Sequence, residues 1–269
     1  MMNLIDIRHR QTACEAILKQ AGQAAKTRFE ARDYETQMKG PQDFVSEVDH
    51  ATERAIKDAL TRQFPDDGFM GEESGGDLAA ASWIVDPIDG TSNFVRATAY
   101  WCLSAAFVVD GIAVIGVIYD PMLDEIFSCH AGGGARLNGR AMSVSKTAAA
   151  TDAVLGISFS FQSAPDDVAR VVHDLIENGT SFRLMGAGAL SLAHCAAGRT
   201  DGFWESFMKP WDAAAGLLLI KEAGGTVCDY GAGNGYVNGN PVLGAAPLMA
   251  DFFSDLTGVV LAKPVVQSA

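Results

Sequence analysis

Apolar and polar positions along this chain change period several times, and the changes divide it into elements. Ala13, Ile17 and Ala21 recur at helical spacing, which predicts a helix over residues 3 to 37 with a kink or loop near Gly22. After Lys39-Gly40-Pro41 the spacing predicts a second helix from Val48 to Phe64, stopped by Pro65. Trp83-Ile84-Val85 read as a short buried strand. The longest apolar run, Leu103 to Tyr119, is broken at Asp110-Gly111, so it reads as two strands joined by a hairpin turn rather than as a membrane span. Glu125-Ile126-Phe127 add strand material, and Gly132 to Gly139 read as a turn-rich loop.

Small residues dominate from Lys146 to Asp152, and the order beyond this seam becomes strand, helix, strand, helix. Strands are expected over residues 154–158 and 181–185, and helices over 168–178 and 190–197. A helix over 211–223 is stopped by Gly224-Gly225, and a strand follows over 226–229. Gly231 to Gly235 read as a mobile loop. The expected organisation is two lobes sharing one cleft, residues 1–146 and 147–269.

Composition narrows the function without naming it. With 269 residues, 48% hydrophobic and 20% charged, the chain can bury a large core. A net charge of −13 argues against direct nucleic-acid binding, which needs Lys and Arg to neutralise phosphates. The five cysteines (Cys14, Cys102, Cys129, Cys195, Cys228) form no CxxC or zinc spacing, which suits reduced thiols in a cytosol. The first ten residues lack an apolar segment with a small-residue cleavage site, so no signal peptide is expected. The histidines show no HExxH spacing, and neither a G-x-S-x-G elbow nor a P-loop occurs.

The chemistry concentrates in Asp86-Pro87-Ile88-Asp89-Gly90-Thr91-Ser92-Asn93-Phe94. Two carboxylates end a strand, a glycine allows close backbone approach, and hydroxyl and amide side chains suit a helix start. Oxygen ligands suit a hard cation such as Mg²⁺, and a helix N-terminus suits a phosphate. Phosphate-ester chemistry needs both at one point. Three further segments carry acids: Gly71-Glu72-Glu73-Ser74, the helical pair Asp49 and Glu53, and Trp211-Asp212-Ala213-Ala214-Ala215-Gly216. Taken singly these read as a solvated turn, a polar helix face and a helix cap.

In order along the chain, the four segments resemble the motifs of the inositol monophosphatase family of Mg²⁺-dependent, lithium-sensitive phosphatases. Asp43 to Asp49, Gly71 to Ser74, Asp86 to Phe94 and Trp211 to Gly225 carry the resemblance, with Gly132 to Gly139 matching a glycine-rich loop. It implies an α+β fold, the layered αβαβα sugar-phosphatase type shared with fructose-1,6-bisphosphatase-like enzymes, and a homodimer. It implies two to three Mg²⁺ ions per site. Glu72, Asp86 and the Ile88 carbonyl would hold the first, and Asp86, Asp89 and Asp212 the second; a third would lean on Glu72. Thr91 with Asp49 would activate water, and the Gly90 and Thr91 N–H groups would bind phosphate. Glu205 would meet a substrate hydroxyl, with Asp89, Gly186, Ala187 and Gly188 along the polyol side. Lys39 would sit on a loop shielding the metals.

The implied substrate is a small phosphorylated polyol, inositol 1-phosphate first. Histidinol phosphate, sugar bisphosphates and 3′-phosphoadenosine compounds are alternatives in the same superfamily. Arg96 to Trp101 and Ala187 depart from the family pattern near the expected leaving-group pocket. A different reading is a regulatory partner of transcription complexes.

Overall fold

The Asn3 side chain accepts the Asp6 N–H at 3.0 Å and opens α1 (Leu4–Ala31). This computed structural model describes residues 3–40, 43–160 and 162–262, without the side chains of residues 39, 40, 43 and 45. In chain order there follow β1 (Thr36–Gly40), β2 (Asp43–Ser46), α2 (Glu47–Gln63), β3 (Gly68–Gly71), β4 (Ala81–Asp89), α3 (Thr91–Val95), β5 (Cys102–Val109), β6 (Ile112–Asp120), β7 (Glu125–His130), β8 (Arg136–Leu137) and β9 (Arg140–Ala141). The remainder comprises β10 (Val154–Ile157), α4 (Pro165–Glu177), β11 (Ser181–Arg183), α5 (Gly188–Ala196), β12 (Gly202–Met208), α6 (Pro210–Glu222), β13 (Thr226–Val227), α7 (Gly235–Asn238), β14 (Asn240–Ala245) and α8 (Ala250–Thr257).

The layers run α, β, α, β, α. Outermost are α1 and α2, packed on a seven-stranded sheet of order β3-β4-β5-β6-β7-β8-β9. Helices α5 and α6 fill the middle. Beyond them lies a five-stranded sheet of order β11-β10-β12-β14-β13, covered by α4 and α8. Strand β5 is apolar at every position but Ser104. Leu103, Ala105 and Phe107 face the core under α1, while Cys102, Ala106 and Val108 face the core around α5 and α6. With both faces buried, the period-two alternation does not separate apolar from polar positions.

Three expectations need correction. The first helix runs through Gly22 without a kink and ends at Ala31, and residues 36–40 are strand. Gly22 packs against the sheet, where an added Cβ would lie 2.7 Å from the Tyr119 ring, so this glycine serves helix–sheet approach. The Trp83 strand extends through Asp89. Gly231 to Gly235, read as a mobile loop, instead make a 3₁₀ turn leading into α7, and the Asn240 amide donates to the carbonyls of Tyr230 at 2.8 Å and Ala232 at 2.7 Å.

Candidate active site

Asp86 and Asp89 are an odd number of residues apart and would point to opposite faces of a regular strand. A β-bulge prevents this. On β4 the step from Asp86 to Asp89 spans three residues, while the paired step on β5, Ser104 to Cys102, spans two. The extra residue brings both carboxylates to the same side, and the Ile88 N–H donates to Asp86 Oδ1 at 2.9 Å to close the turn around Pro87. Gly90 follows with φ 94°, a left-handed conformation that favours glycine.

Asp212 arrives from the other direction, in the first turn of α6. The Ser104 hydroxyl, opposite Asp86 on β5, donates to the Trp211 carbonyl at 3.0 Å and anchors that turn. Small side chains at Ala213, Ala214 and Ala215 let α6 lie close to the sheet. A Cβ at Gly116 on β6 would come within 2.7 Å of the Ala215 carbonyl oxygen. Asp86, Asp89 and Asp212 thereby offer carboxylate oxygens that lie within 4.8 Å of one another.

Burial raises the pKa values of all three acids. Burial pushes Asp86 and Asp212 well above the usual carboxylate range, and the charge of Glu72 pushes both further. Asp89 is also raised by burial, but backbone N–H groups of α5 oppose the shift. Gly188 donates to its Oδ1 at 3.0 Å and Leu190 to its Oδ2 at 3.2 Å. An all-oxygen set of mutually repelling carboxylates fits a hard divalent cation, which would replace the protons they otherwise retain.

Beside this cluster, Asp49 is buried on α2 in a capping box with Ser46. Its Oδ2 accepts the Ser46 N–H at 2.9 Å and hydroxyl at 2.5 Å. Its Oδ1 lies 3.1 Å from the Thr91 hydroxyl, which also sits 3.0 Å from the Ile88 carbonyl. One hydroxyl proton faces two acceptors, an arrangement that can pass a proton. Burial raises the Asp49 pKa, and the bonds from Ser46 and Thr91 pull it back.

Glu72 follows β3, which pairs in parallel with β4, and its N–H donates to the Val85 carbonyl at 3.1 Å. Its charge reaches Asp86 and Asp212, although its carboxylate is outside the 4.8 Å group. Glu205 lies buried on β12, its pKa pushed up to about 8 by burial and then by the charge of Asp89. Gly186 and Ala187 abut the Gly90 turn, where a Cβ on Gly90 would lie 3.0 Å from the Ala187 Cβ and 3.2 Å from the Gly186 carbonyl oxygen. Trp101 is core, packed tilted against Phe29 and edge-on to Phe94, so only part of the departing 96–101 segment can face a pocket. The Lys39 side chain is outside the described residues. A cavity of about 710 Å³ lies beside Leu217, Lys221 and Cys228, on the later turns of α6 rather than at Asp212.

Two supports were not assigned from the sequence. Ser104 reads as an ordinary strand residue, and nothing local signals its bond to Trp211. Glu53 was visible as a partner to Asp49 on one helix face, yet its contact to the Glu72 turn depends on tertiary packing.

The model of the inositol monophosphatase family matches residues 7–257. This chain belongs to that family. The chain is 37% identical over 251 residues to the Nus factor SuhB of Escherichia coli strain K12, covering 88% of this chain and 94% of that one. It is 38% identical over 224 residues to the inositol-1-monophosphatase of Rhizobium meliloti, covering 81% and 84%. The crystal structure of the extragenic suppressor protein SuhB from Bartonella henselae superposes with a TM-score of 0.85 at 32% identity, over 91% of this chain and 97% of that one. Family membership makes the protein a phosphoric monoester hydrolase of a metal-dependent family, with the layered fold expected of it. Among the described residues, no helix is long and apolar enough to cross a membrane.

Proposed function

We propose that the protein hydrolyses the phosphate monoester of a small polyol, with inositol 1-phosphate as the preferred substrate and Mg²⁺ as the cofactor. The observation that carries this reading is the approach of Asp86, Asp89 and Asp212 to within 4.8 Å of one another, beside the Thr91–Asp49 pair. Glu72, Asp86, Asp89, Asp212 and the Ile88 carbonyl would hold the ions. Bound there, Mg²⁺ supplies charge neutralisation for the phosphoryl group and acidifies water.

The remaining work falls to the chain itself. The Thr91 hydroxyl takes a proton from the attacking water as it gives its own to Asp49. The Gly90 and Thr91 N–H groups hold the phosphate in line with that water. Glu205 and the Gly186-Ala187-Gly188 segment meet the polyol hydroxyls, and the buried Glu205 favours a partner that hydrogen-bonds rather than an apolar one. Five buried cysteines without disulfides support a reducing cytoplasm. Lithium sensitivity, a homodimer and a division into two lobes at residue 146 belong to the same reading.

Phosphate release from inositol 1-phosphate, histidinol phosphate, fructose 1,6-bisphosphate and 3′-phosphoadenosine 5′-phosphate tests the substrate. Highest kcat/KM with inositol 1-phosphate is expected; another compound in the lead would overturn the substrate while leaving the hydrolytic site. Similarity to relatives named Nus factor SuhB favours a second reading, association with a transcription complex. Co-purification with RNA polymerase or Nus factors checks it, and their absence from the eluate would dispose of it.

A further inference from the structure

Glu53 has no place in the chemistry above, yet the residue is buried, at 3% exposure, and each carboxylate oxygen accepts a hydrogen bond. Its Oε2 accepts the Glu73 N–H and its Oε1 the Ser74 N–H, each at 2.8 Å. Both bonds fall on the turn that carries Glu72. That turn is closed by reciprocal Gly71–Gly75 backbone bonds of 3.0 Å, and Glu72's own N–H reaches the Val85 carbonyl at 3.1 Å, next to Asp86. Residue 72 is therefore tied to β4 at its own amide and to α2 through the two residues that follow it.

The space is fitted as closely as the bonds. A Cβ at Gly71 would lie 2.3 Å from Glu53 Oε2, so the absence of a side chain there lets the carboxylate reach the two amides. A buried carboxylate without such donors would be costly; two charge-assisted bonds offset that cost only while the turn keeps its shape. Glu53 also lies one helical turn from Asp49, so one face of α2 supports both the water-activating pair and the Glu72 turn.

We propose that Glu53 is a positioning residue that holds the Gly71–Gly75 turn, and through it Glu72, in register with Asp86, and so sets the affinity of the site for its divalent cation. This rests on the reading of Glu72 as a metal ligand. Glu53 is predicted to touch neither substrate nor cation, so its effect must disappear when Glu72 can no longer ligate.

A four-variant cycle tests this, with thermal unfolding followed against Mg²⁺ concentration in wild type, E53Q, E72Q and E53Q/E72Q. Glutamine keeps the shape of Glu53 but turns an amide NH₂ against one of the two N–H donors. E53Q is expected to raise the half-saturating Mg²⁺ about tenfold, the usual scale for residues that orient metal ligands. In the E72Q background the same change is expected to add less than about twofold. An unchanged Mg²⁺ dependence in E53Q, or an equal shift in both backgrounds, would overturn the role of Glu53. An unchanged Mg²⁺ dependence in E72Q alone would overturn the ligand reading beneath it. Should E53Q fail to fold, G71A drives the carboxylate off the turn from the opposite side; a folded G71A with wild-type Mg²⁺ dependence would equally overturn the proposal.

Discussion

The carboxylate of Asp89, at the end of β4, accepts the backbone N–H of Gly188 at 3.0 Å across 99 residues of sequence. The first turn of α5 is thus bonded directly to the acid cluster on the seven-stranded sheet. Donation from Gly188 and Leu190 favours the ionised form of Asp89. The carboxylates are consequently unequal: Asp86 and Asp212 are lifted well above the usual range, and Asp89 less so. The α5 amides thus oppose the burial that raises the Asp89 pKa.

Asp86 sits where the charges of Glu72, Asp89 and Asp212 converge, whereas Glu205 faces the expected polyol. Asp86→Asn is therefore expected to lower kcat/KM by roughly a thousandfold or more, since metal stabilisation of the transition state contributes several kcal/mol. Glu205→Gln is expected to act mainly on KM. Steady-state kinetics of both variants at saturating Mg²⁺ check the ordering, and comparable losses would contradict it.

For the Thr91–Asp49 pair, Asp49→Asn removes the proton acceptor while leaving the Asp86, Asp89 and Asp212 cluster intact. The expected loss in kcat is about 10² to 10⁴, the usual range for a general base. The Mg²⁺-induced rise in melting temperature should survive. A kcat within a fewfold of wild type would remove Asp49 from the chemistry.

Glu205 gives a pH dependence of stability. Its folded pKa of about 8 lies above the unfolded value near 4.5, so the folded state retains its proton longer. The associated stability is fully present below pH about 4.5 and is lost as the pH rises through about 8. In EDTA, Glu205→Gln should therefore raise the melting temperature at pH 8 by several degrees and change it little at pH 5, at about 2–4 °C per kcal/mol for a chain this size. Equal shifts at both pH values would show that Glu205 ionises normally.

Close packing of α6 on β6 supplies a structural test. Gly116→Ala places a methyl 2.7 Å from the Ala215 carbonyl oxygen, and such overpacking costs about 1–3 kcal/mol. The expected results are a lower melting temperature and, because Asp212 rides on the same helix, weaker Mg²⁺ binding. A melting temperature within a degree of wild type would mean that α6 gives way freely.

Much of this was readable from the chain because the acids occur in short, ordered segments whose local chemistry is self-contained. Ser46 caps α2, and Asp49 completes the cap while presenting its second oxygen to Thr91. The order of acids could not reveal that Asp86 and Asp89 share a face, because that depends on a bulge defined only by pairing with β5. Gly22 misled for a related reason: within a helix, a glycine serving close approach to Tyr119 has the same letter as one marking a break. The burial of Trp101 and the reach of Glu53 to Glu73 and Ser74 likewise arise from elements far apart in sequence.

The central claim is that a carboxylate-held Mg²⁺ ion drives phosphate-ester hydrolysis at Asp86, Asp89 and Asp212. Its most direct test is phosphate release from inositol 1-phosphate by EDTA-treated protein before and after Mg²⁺ is restored, with Asp212→Asn measured alongside. The account predicts no release in EDTA, full recovery of the wild type with Mg²⁺, and little recovery of the variant. Release that persists in EDTA, or an Asp212→Asn protein that recovers as fully as wild type, would contradict it.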